Sequence, residues 1–478
     1  MGLCFLLSGC LWDSVPIQLK ADPPHAFSLT GPTPLPDKWW EAFDDQDLNQ
    51  LIETALVDNP SLLATWDRLR QADAVFGREQ GPRFPILNGT VFASRSRPNT
   101  GGDTDRLAIG LSVAYELDLW GRVRANVSAA HFDAQASQAD VATAAISLSA
   151  EIAKAWYALV EQRGQLALLE QQIATNERIL EVVMLRFRQG LAAAPDVLRQ
   201  RQLIEQTRGD TKDVYAQIQT LIHQLAILLG KPPRSITFPE QNRLLQLPLL
   251  PDTGLPVELL HRRPDVQTGF FQVQAADARV AVAIAERFPR IDLSGSWTTN
   301  LTSTLAGGSF ATSPAGLFSS WLANIAAQVV APIFNAGARA AEVDRTKAVL
   351  SEALNTYEST VLQAFREVED ALISEAQQRE KTASLETQLQ IATEVIARLR
   401  GRYTQGATNY LDVLNAFLSQ QNLARQILTA RRTLIGYRVD LAKALAGSWD
   451  MKTPELRQLS SAKTKNTSGR TVNDEQPS

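Results

Sequence analysis

The stretch RYTQGATNYLDVLNA, residues 402–416, decides the fold, because a near copy of it, RFRQGLAAAPDVLRQ, occupies residues 186–200. Matched positions in the two stretches lie 216 residues apart. Closer to the N-terminus the offset falls to 204, where the tripeptide Arg-Phe-Pro at residues 83–85 returns at residues 287–289. A colinear series with a single step predicts one unit used twice. The second copy carries twelve extra residues, the difference between the two offsets, between about Pro289 and Gly337, and we place them in the Gly/Ser/Thr-rich segment that starts at residue 298.

The composition of the chain excludes several functions. Its 478 residues carry a formal net charge of -4 and no long basic run, so nucleic acid is not an expected partner. No run of about 18 apolar residues occurs, so we do not expect a membrane-spanning helix. No Gly-x-Ser-x-Gly elbow is present and the histidines lack metal-ligand spacing, which argues against an enzyme. These histidines are His25, His131, His223 and His261.

The first ten residues, MGLCFLLSGC, resemble the end of a secretory signal followed by a bacterial lipobox. In a lipobox the cysteine becomes the lipidated first residue of the mature chain, which assigns that role to Cys10. Only nine residues precede Cys10, so we expect the true start to lie upstream of Met1. The alternative is an apolar N-terminus that ends by chance in a free cysteine. A covalent lipid is the only attached group that we expect.

Two long proline-free segments predict two very long helices, at residues 123–187 and 338–403. The second segment has apolar residues at alternating steps of three and four, the spacing of a left-handed coiled coil. At about 1.5 Å per residue, a helix of this length measures roughly 100 Å. A second long helix follows each of them, at residues 196–229 and 412–445, so each copy of the repeat forms a helical hairpin.

The two stretches at residues 186–200 and 402–416 therefore form the tips of the hairpins. Gly190 and Gly406 suit the C-terminus of the outgoing helix. Asp196 and Asp412 suit the first turn of the returning helix, where a negative charge is favourable.

Four strands precede the long helices, two in each copy. In LAIGLSVAYELDL, residues 107–119, apolar side chains alternate with small or polar ones over the length of a transmembrane barrel strand. Residues 321–333 repeat the pattern, and residues 85–93 and 289–297 form weaker partner strands. Four strands cannot close a barrel, and open sheet edges are not tolerated in lipid. A cyclic trimer would supply twelve strands and twelve helices.

The predicted fold class is thus a mixed α/β membrane protein with an internally duplicated chain. A signal remnant with the lipobox (residues 1–10) and an extended segment (11–38) precede the first repeat, at residues 39–230. A linker (231–256) joins it to the second repeat, at residues 257–447, and a polar tail (448–478) follows and is predicted to be disordered.

Three passages together resemble one protein family. WWEAFDDQDLNQLIETALVDNPSL at residues 39–62, YELDLWGRVR at 115–124 and GLPVELLHRRPDV at 254–266, with the lipobox and the two tips, are similar to the TolC-like outer membrane factor family. The similarity is to its lipoprotein branch, which serves tripartite efflux pumps. It extends from about residue 39 to 449. The chain departs from the family pattern at Phe270, where a glutamate is usual, and at the first tip, which reads AAAPD.

The resemblance implies a homotrimeric, passive channel in the outer membrane. It joins an inner-membrane transporter through a periplasmic adaptor that docks at the tips, at Gly190, Leu191, Gly406 and Ala407. A duct for type I protein or peptide secretion is the close alternative. A periplasmic coiled-coil scaffold lipoprotein is an alternative of another class.

The resemblance also implies a periplasmic gate. A ring of Asp412 carboxylates would constrict the tunnel, with Asn415 one turn further on and Arg402 and Tyr403 as a latch. A first-turn aspartate is also commonly a helix cap, and both roles stay open for Asp412. At the joint between strand and helix lie Tyr115, Trp120 and Gly121. Both aromatic residues are expected at the membrane interface, and for Trp120 packing at the joint is the alternative.

Overall fold

The structure is a computed structural model, which describes residues 24–97, 99–100, 104–304 and 321–447, and the single residues 449, 451 and 453. The lipobox with Cys10 and nearly all of the predicted tail lie outside these residues. So does most of the segment between the last two strands, to which the sequence assigns the twelve extra residues.

Two long helical hairpins dominate the chain. Helix α3 (Arg122–Arg188) returns as α4 (Ala194–Leu228), and α7 (Ala338–Thr404) returns as α8 (Tyr410–Leu445). Helices α3 and α7 have 67 residues each, so both are about 100 Å long. The α3 helix also packs beside α8, and the four helices follow one another in the order α4, α3, α8, α7. The hairpins predicted from the sequence are present.

The predicted heptad positions of α7 form its packed face. Alternating steps of three and four keep these side chains on one side of a helix, where they are removed from water. Most of them are buried and Leu354, Phe365, Leu389 and Leu399 are partly buried. The buried ones are Leu350, Tyr357, Val361, Val368, Leu372, Leu385, Ile396 and Tyr403.

Two pairs of shorter helices brace the hairpins. Helices α1 (Gln46–Asp58) and α2 (Pro60–Gln80) precede the first hairpin, and α5 (Pro256–Arg262) and α6 (Pro264–Ala285) precede the second. Helix α2 packs on α3, whereas α6 packs on both α7 and α3.

The residues that start α2 and α6 fasten them to the long helices. The Asn59 side chain accepts a hydrogen bond from the N–H of Leu62 at 3.0 Å and donates to the carbonyl of Leu228 at 2.8 Å. The buried Arg263 pairs with Asp265 at 2.6 Å and with Glu367 at 2.8 Å. Asn59 thus joins α2 to α4, and Arg263 joins α6 to α7.

The main core contains buried residues from all eight α-helices that the structure describes. Trp39 and Trp40 begin a 3-10 turn (Trp39–Phe43), and both are fully buried. The indole N–H of Trp39 donates to Ser149 Oγ at 3.1 Å, so its only polar atom is satisfied. Both tryptophans are packing residues of this core.

The four predicted strands form one antiparallel sheet in the order β1 (Ile86–Ser96), β2 (Thr104–Glu116), β3 (Arg290–Thr304) and β4 (Trp321–Val330). Their register places apolar side chains on one face. Strands β1 and β4 are the sheet edges, and all of their residues are exposed. The apolar face includes Leu87, Val91, Ile109, Leu111, Val113, Leu293, Trp297, Trp321, Ile325 and Val329.

The strand bounds differ from the predicted ones at several ends, and two of these differences have an identifiable reason. Strand β4 ends at Val330 rather than at residue 333, because Pro332 has no N–H to donate to a strand ladder. Strand β2 ends at Glu116 rather than at residue 119. Two residues later the Asp118 carboxylate accepts hydrogen bonds from the N–H groups of Val123 and Arg124, each at 2.9 Å, and thereby caps α3.

Candidate functional site

The two tips share one backbone conformation. Gly190 has a φ of +76° and Gly406 a φ of +75°, the left-handed region in which glycine carries no steric penalty. The N–H of Leu191 donates to the carbonyl of Arg186 at 2.8 Å, and the N–H of Ala407 donates to the carbonyl of Arg402 at 2.9 Å. This bond, which spans five residues, is the Schellman closure of a helix C-terminus.

The end of each tip consists of a glycine followed by an exposed apolar residue. Leu191 is 62% exposed, and Ala407 is exposed at the matching place in the second tip. No heavy atom lies within 4 Å of where a side chain on Gly190 or Gly406 would begin, among the atoms that the structure describes. The glycines are therefore required by the backbone turn rather than by a close neighbour.

The returning helices begin with an aspartate in both copies, but the local contacts differ. Asp196 accepts a hydrogen bond from the N–H of Ala193 at 3.2 Å. Asp412 accepts one from the Thr408 hydroxyl at 2.7 Å, and its own N–H donates to the side chain of Asn409 at 2.9 Å. Asp412 thus belongs to a capping arrangement and stays exposed.

An apolar cluster joins the two hairpins near their tips. Tyr403 lies in it and is 8% exposed, with the Arg186 guanidinium carbon 4.4 Å from the centre of its ring. Burial is the largest cause that raises the pKa of the Tyr403 hydroxyl. The cluster contains Val183, Val197, Leu203, Ile396, Tyr403, Tyr410, Val413, Leu414 and Phe417.

A chain of hydrogen bonds crosses the same interface. The Tyr410 hydroxyl donates to Gln200 Oε1, and Gln200 Nε2 donates to the carbonyl of Asn176 at 2.7 Å. Asn176 Oδ1 in turn accepts from Gln421 at 3.2 Å. These buried groups connect α3 and α4 to α8, and the sequence gives no periodic signal for them.

The predicted gate residues do not form one cluster within a single chain. Arg402, Asp412 and Asn415 are all exposed, whereas Tyr403 is buried between the hairpins. Sequence reasoning missed Arg186, the residue that packs on Tyr403. Arg186 could have been found from the sequence, because it is the residue of the first copy that is equivalent to Arg402.

At the joint between the sheet and the helices, Trp120 is a packing residue. Its indole N–H donates to the carbonyl of Pro289 at 2.7 Å, and its ring stacks on Phe288 at 4.9 Å. Gly121 has a φ of +77° and turns the chain into α3. Tyr115 lies opposite Leu293 on the apolar face of the sheet. The joint-packing alternative therefore holds for Trp120.

The second hairpin contains a buried ion pair that the sequence analysis does not predict. Arg438 and Glu375 are 3% and 2% exposed, and their side chains meet at 2.6 Å. Arg438 Nη1 donates to the linker carbonyls of Pro248 at 3.0 Å and Leu249 at 2.9 Å. Arg438 therefore ties the linker to the second hairpin.

None of the helices that the structure describes is long and apolar enough to span a membrane. Within the same residues, no group of three or more His, Cys, Asp or Glu side chains is placed to hold a metal ion.

The sequence profile of the outer membrane efflux protein family matches residues 51–231 and 255–447, one segment in each copy of the repeat. The chain belongs to this family. Its members are passive channels, so the protein is an outer membrane efflux channel and not an enzyme. The predicted family, activity class and outer membrane location are confirmed.

Individual members of the efflux family match nearly the whole chain. The pyoverdine export outer membrane protein OpmQ of Pseudomonas aeruginosa is 32% identical over 470 residues, which cover 94% of this chain and 96% of that protein. The toluene efflux pump outer membrane protein TtgC of Pseudomonas putida is 30% identical over 490 residues, which cover 97% of this chain and 96% of that protein.

Solved channel structures match the fold. The outer membrane channel OprN superposes with a TM-score of 0.82 at 26% identity and covers 92% of this chain and 100% of its own. The open state of the Neisseria gonorrhoeae channel MtrE superposes with a TM-score of 0.81 at 26% identity. The match covers 94% of this chain and 100% of the MtrE chain.

Proposed function

We propose that three copies of this chain form the exit duct of a tripartite efflux pump, a twelve-stranded barrel in the outer membrane continued by a twelve-helix tube. The open sheet supports this proposal most directly. Strands β1 and β4 are unpaired edges among the described residues, and one sheet face is apolar. Such edges are stable in lipid only when another strand pairs with them. Helices of 67 residues then extend the tube into the periplasm.

The cargo proposed for this duct is small, toxic compounds that move passively through the tube. The two relatives described above are named for the export of pyoverdine and of toluene, which favours small molecules over a secreted protein or peptide. A periplasmic scaffold lipoprotein would not need an exposed apolar sheet face. Cell fractionation separates that alternative, because a scaffold would leave the outer membrane fraction when its lipid is removed.

The tips are the proposed docking surface for a periplasmic adaptor, which links the duct to an inner-membrane transporter. Gly190, Leu191, Gly406 and Ala407 present small, exposed surface there. The proposed gate is a ring of three Asp412 carboxylates, with Asn415, Arg402 and Tyr403 around it. The proposed anchor is a lipid on Cys10, which mass spectrometry of the mature N-terminus would detect.

Drug susceptibility and assembly together test the proposed function. A strain that lacks this protein should become susceptible to compounds that the intact pump exports, and the gene supplied in trans should restore resistance. Native mass spectrometry of the detergent-solubilised protein should show three chains. A stable monomer in the membrane, or resistance that does not depend on the gene, would contradict the proposal.

A further inference from the structure

We propose that a collar of arginines at the two tips selects an adaptor whose docking end is acidic. This inference rests on the proposed docking at the tips and adds the chemistry of the partner. The arginine collar is defined as the arginines of residues 186–201 and 398–412. Its members are Arg186, Arg188, Arg199, Arg201, Arg398, Arg400 and Arg402.

The charge of the tips is opposite in sign to the charge of the chain. The two ranges hold seven arginines, no lysine or glutamate, and two aspartates, so their formal net charge is +5. The whole chain carries -4, which leaves -9 for all the other residues. Three copies of the chain, each with +5 at its tips, would place a charge of +15 at one end of the assembly. Such a field attracts a partner of opposite charge and disfavours one of like charge.

Four arginines of the collar are available to a partner. Arg186 and Arg400 lie over aromatic rings at 4.4 and 5.5 Å, and Arg199 pairs with Asp196 at 3.6 Å. The other four are exposed and make no ion pair with a residue that the structure describes. Each guanidinium presents a fork of N–H groups that matches both oxygens of a carboxylate. These four are Arg188, Arg201, Arg398 and Arg402.

The two copies of the repeat carry most of these arginines at different positions. Only Arg186 and Arg402 are equivalent to each other, and the counterparts of the other five are uncharged. The duplication of one basic sequence therefore does not account for a basic tip in both copies, which indicates that the charge itself serves a purpose there. Arg188, Arg199, Arg201, Arg398 and Arg400 correspond to Thr404, Asn415, Phe417, Val182 and Met184, in that order.

Exposed apolar side chains accompany the collar at both tips. Leu191 and Leu198 of the first tip are each 62% exposed, and Leu411 of the second tip is 41% exposed. Apolar residues together with arginines are typical of protein–protein interfaces. An anionic polymer would need the positive charge but not the leucines. The tips therefore fit a protein whose docking end carries carboxylates beside apolar side chains.

Capture in intact cells tests the chemistry of the partner. A photo-crosslinker is placed at Leu191, and the captured peptide is sequenced by mass spectrometry. We expect a peptide of a periplasmic protein that has more acidic than basic residues close to the crosslinked position. A neutral or basic peptide would overturn the acidic partner and leave docking at the tips standing. Capture only from positions near the sheet would overturn both.

Reversal of the collar charges tests whether the arginines make this contact. Arg188→Glu/Arg201→Glu should lower the capture yield from Leu191 about tenfold or more, since carboxylates would then face carboxylates. Arg188→Gln/Arg201→Gln should lower it less, because it removes the attraction without adding repulsion. Arginines in place of the acidic residues of the captured peptide should restore capture by the glutamate variant. Native mass spectrometry should show trimers for both variants.

The matched control for the glutamate variant is Arg234→Glu/Arg243→Glu, which changes the net charge equally. Both arginines are exposed in the linker and make no ion pair with a residue that the structure describes. The linker passes beside Gly164, which lies about 40 Å from Gly190 along α3. Capture from Leu191 should therefore be unchanged. An equal loss in the control would show a general effect of net charge and overturn the role of the collar.

Purified cell-wall sacculi test the other source of negative charge in the periplasm. The detergent-solubilised trimer should not sediment with them, because the collar selects a protein. Sedimentation with sacculi that Arg188→Glu/Arg201→Glu abolishes and Arg234→Glu/Arg243→Glu leaves intact would assign the collar to an anionic polymer. That result would overturn the inference.

Discussion

The two hairpins have one backbone plan and two different interiors. Glu375 and Arg438 form a buried ion pair in the second hairpin. The residues 216 positions earlier, Leu159 and Ile222, are apolar, and Leu159 is fully buried. The difference follows from the linker, whose carbonyls at residues 248 and 249 accept hydrogen bonds from Arg438. The comparison teaches that duplication preserves the helix geometry, whereas the buried residues of the second copy also match the linker that packs on it.

Breaking the ion pair should give the largest loss of stability. Glu375→Leu removes the main anionic partner of a buried guanidinium, which typically costs about 3–5 kcal/mol. Glu375→Leu/Arg438→Ile gives the second hairpin the residues of the first, so we expect a smaller loss, set by the linker carbonyls left without a donor. In thermal unfolding of the purified protein in detergent, the double variant should have a higher midpoint temperature than the single variant. Equal midpoints would show that the buried charge is solvated in another way.

Substitution of the tip glycine should destabilise the protein by a similar amount in both copies, because the two tips have the same backbone conformation. Gly190→Val and Gly406→Val place a side chain in the left-handed region, at a cost of about 1–2 kcal/mol each. Gly401→Ala is the matched control, since Gly401 is inside α7 and alanine should stabilise it by about 0.5–1 kcal/mol. Unfolding midpoints check both. A tolerated Gly406→Val beside a damaging Gly190→Val would break the equivalence of the tips.

A bulky residue at the second tip tests docking as well as folding. Gly406→Trp should lower drug resistance while native mass spectrometry still shows trimers. Photo-crosslinkers at Leu191 or Ala407 should capture the adaptor in intact cells. Capture only from positions near the sheet would place the docking surface elsewhere.

The two tyrosines of the second tip should separate a hydrogen-bonded hydroxyl from an unpaired one. Tyr403 occupies the position of Phe187 in the first copy, and its buried hydroxyl makes no hydrogen bond to the residues that the structure describes. Tyr403→Phe should therefore leave the unfolding midpoint unchanged or raise it. Tyr410→Phe should cost about 0.5–1.5 kcal/mol, because it removes the bond to Gln200. The reverse order would mean that the Tyr403 hydroxyl has a partner in the assembled channel.

The sequence predicts the parts of this fold that repeat with a period. Alternation of apolar residues identifies the second strand of each copy and, more weakly, its partner. Long proline-free segments and the repeated tips identify both hairpins, and heptad spacing supports the second. It does not predict where a strand stops, because Pro332 and the Asp118 cap act through single hydrogen bonds. Nor does it predict the Glu375–Arg438 pair, since charged residues in a long helix usually face water. The stacking of Arg186 on Tyr403 depends on two hairpins that lie far apart in the chain.

The smallest effect on stability, and the most specific effect on function, should come from the first-turn aspartates. Removing either charge costs only about 0.3–1 kcal/mol, because both favour the N-terminus of an exposed helix. Their proposed roles differ. Three Asp412 carboxylates at one level of the tunnel would attract cations, whereas Asp196 acts as a cap only. Asp412→Asn keeps an acceptor for the Thr408 hydroxyl and removes the charge.

Conductance in planar lipid bilayers distinguishes the two aspartates. Asp412→Asn and Asp412→Ala should reduce cation selectivity and block by multivalent cations, and Asp196→Ala should change neither. Asn415→Asp, which adds a second acid one turn along α8, should increase selectivity and block. If cation selectivity and block by multivalent cations are unchanged in the Asp412 variants, Asp412 is a helix cap like Asp196. The tips would then be equivalent in chemistry as well as in backbone, and the constriction would lie at another level of the tube.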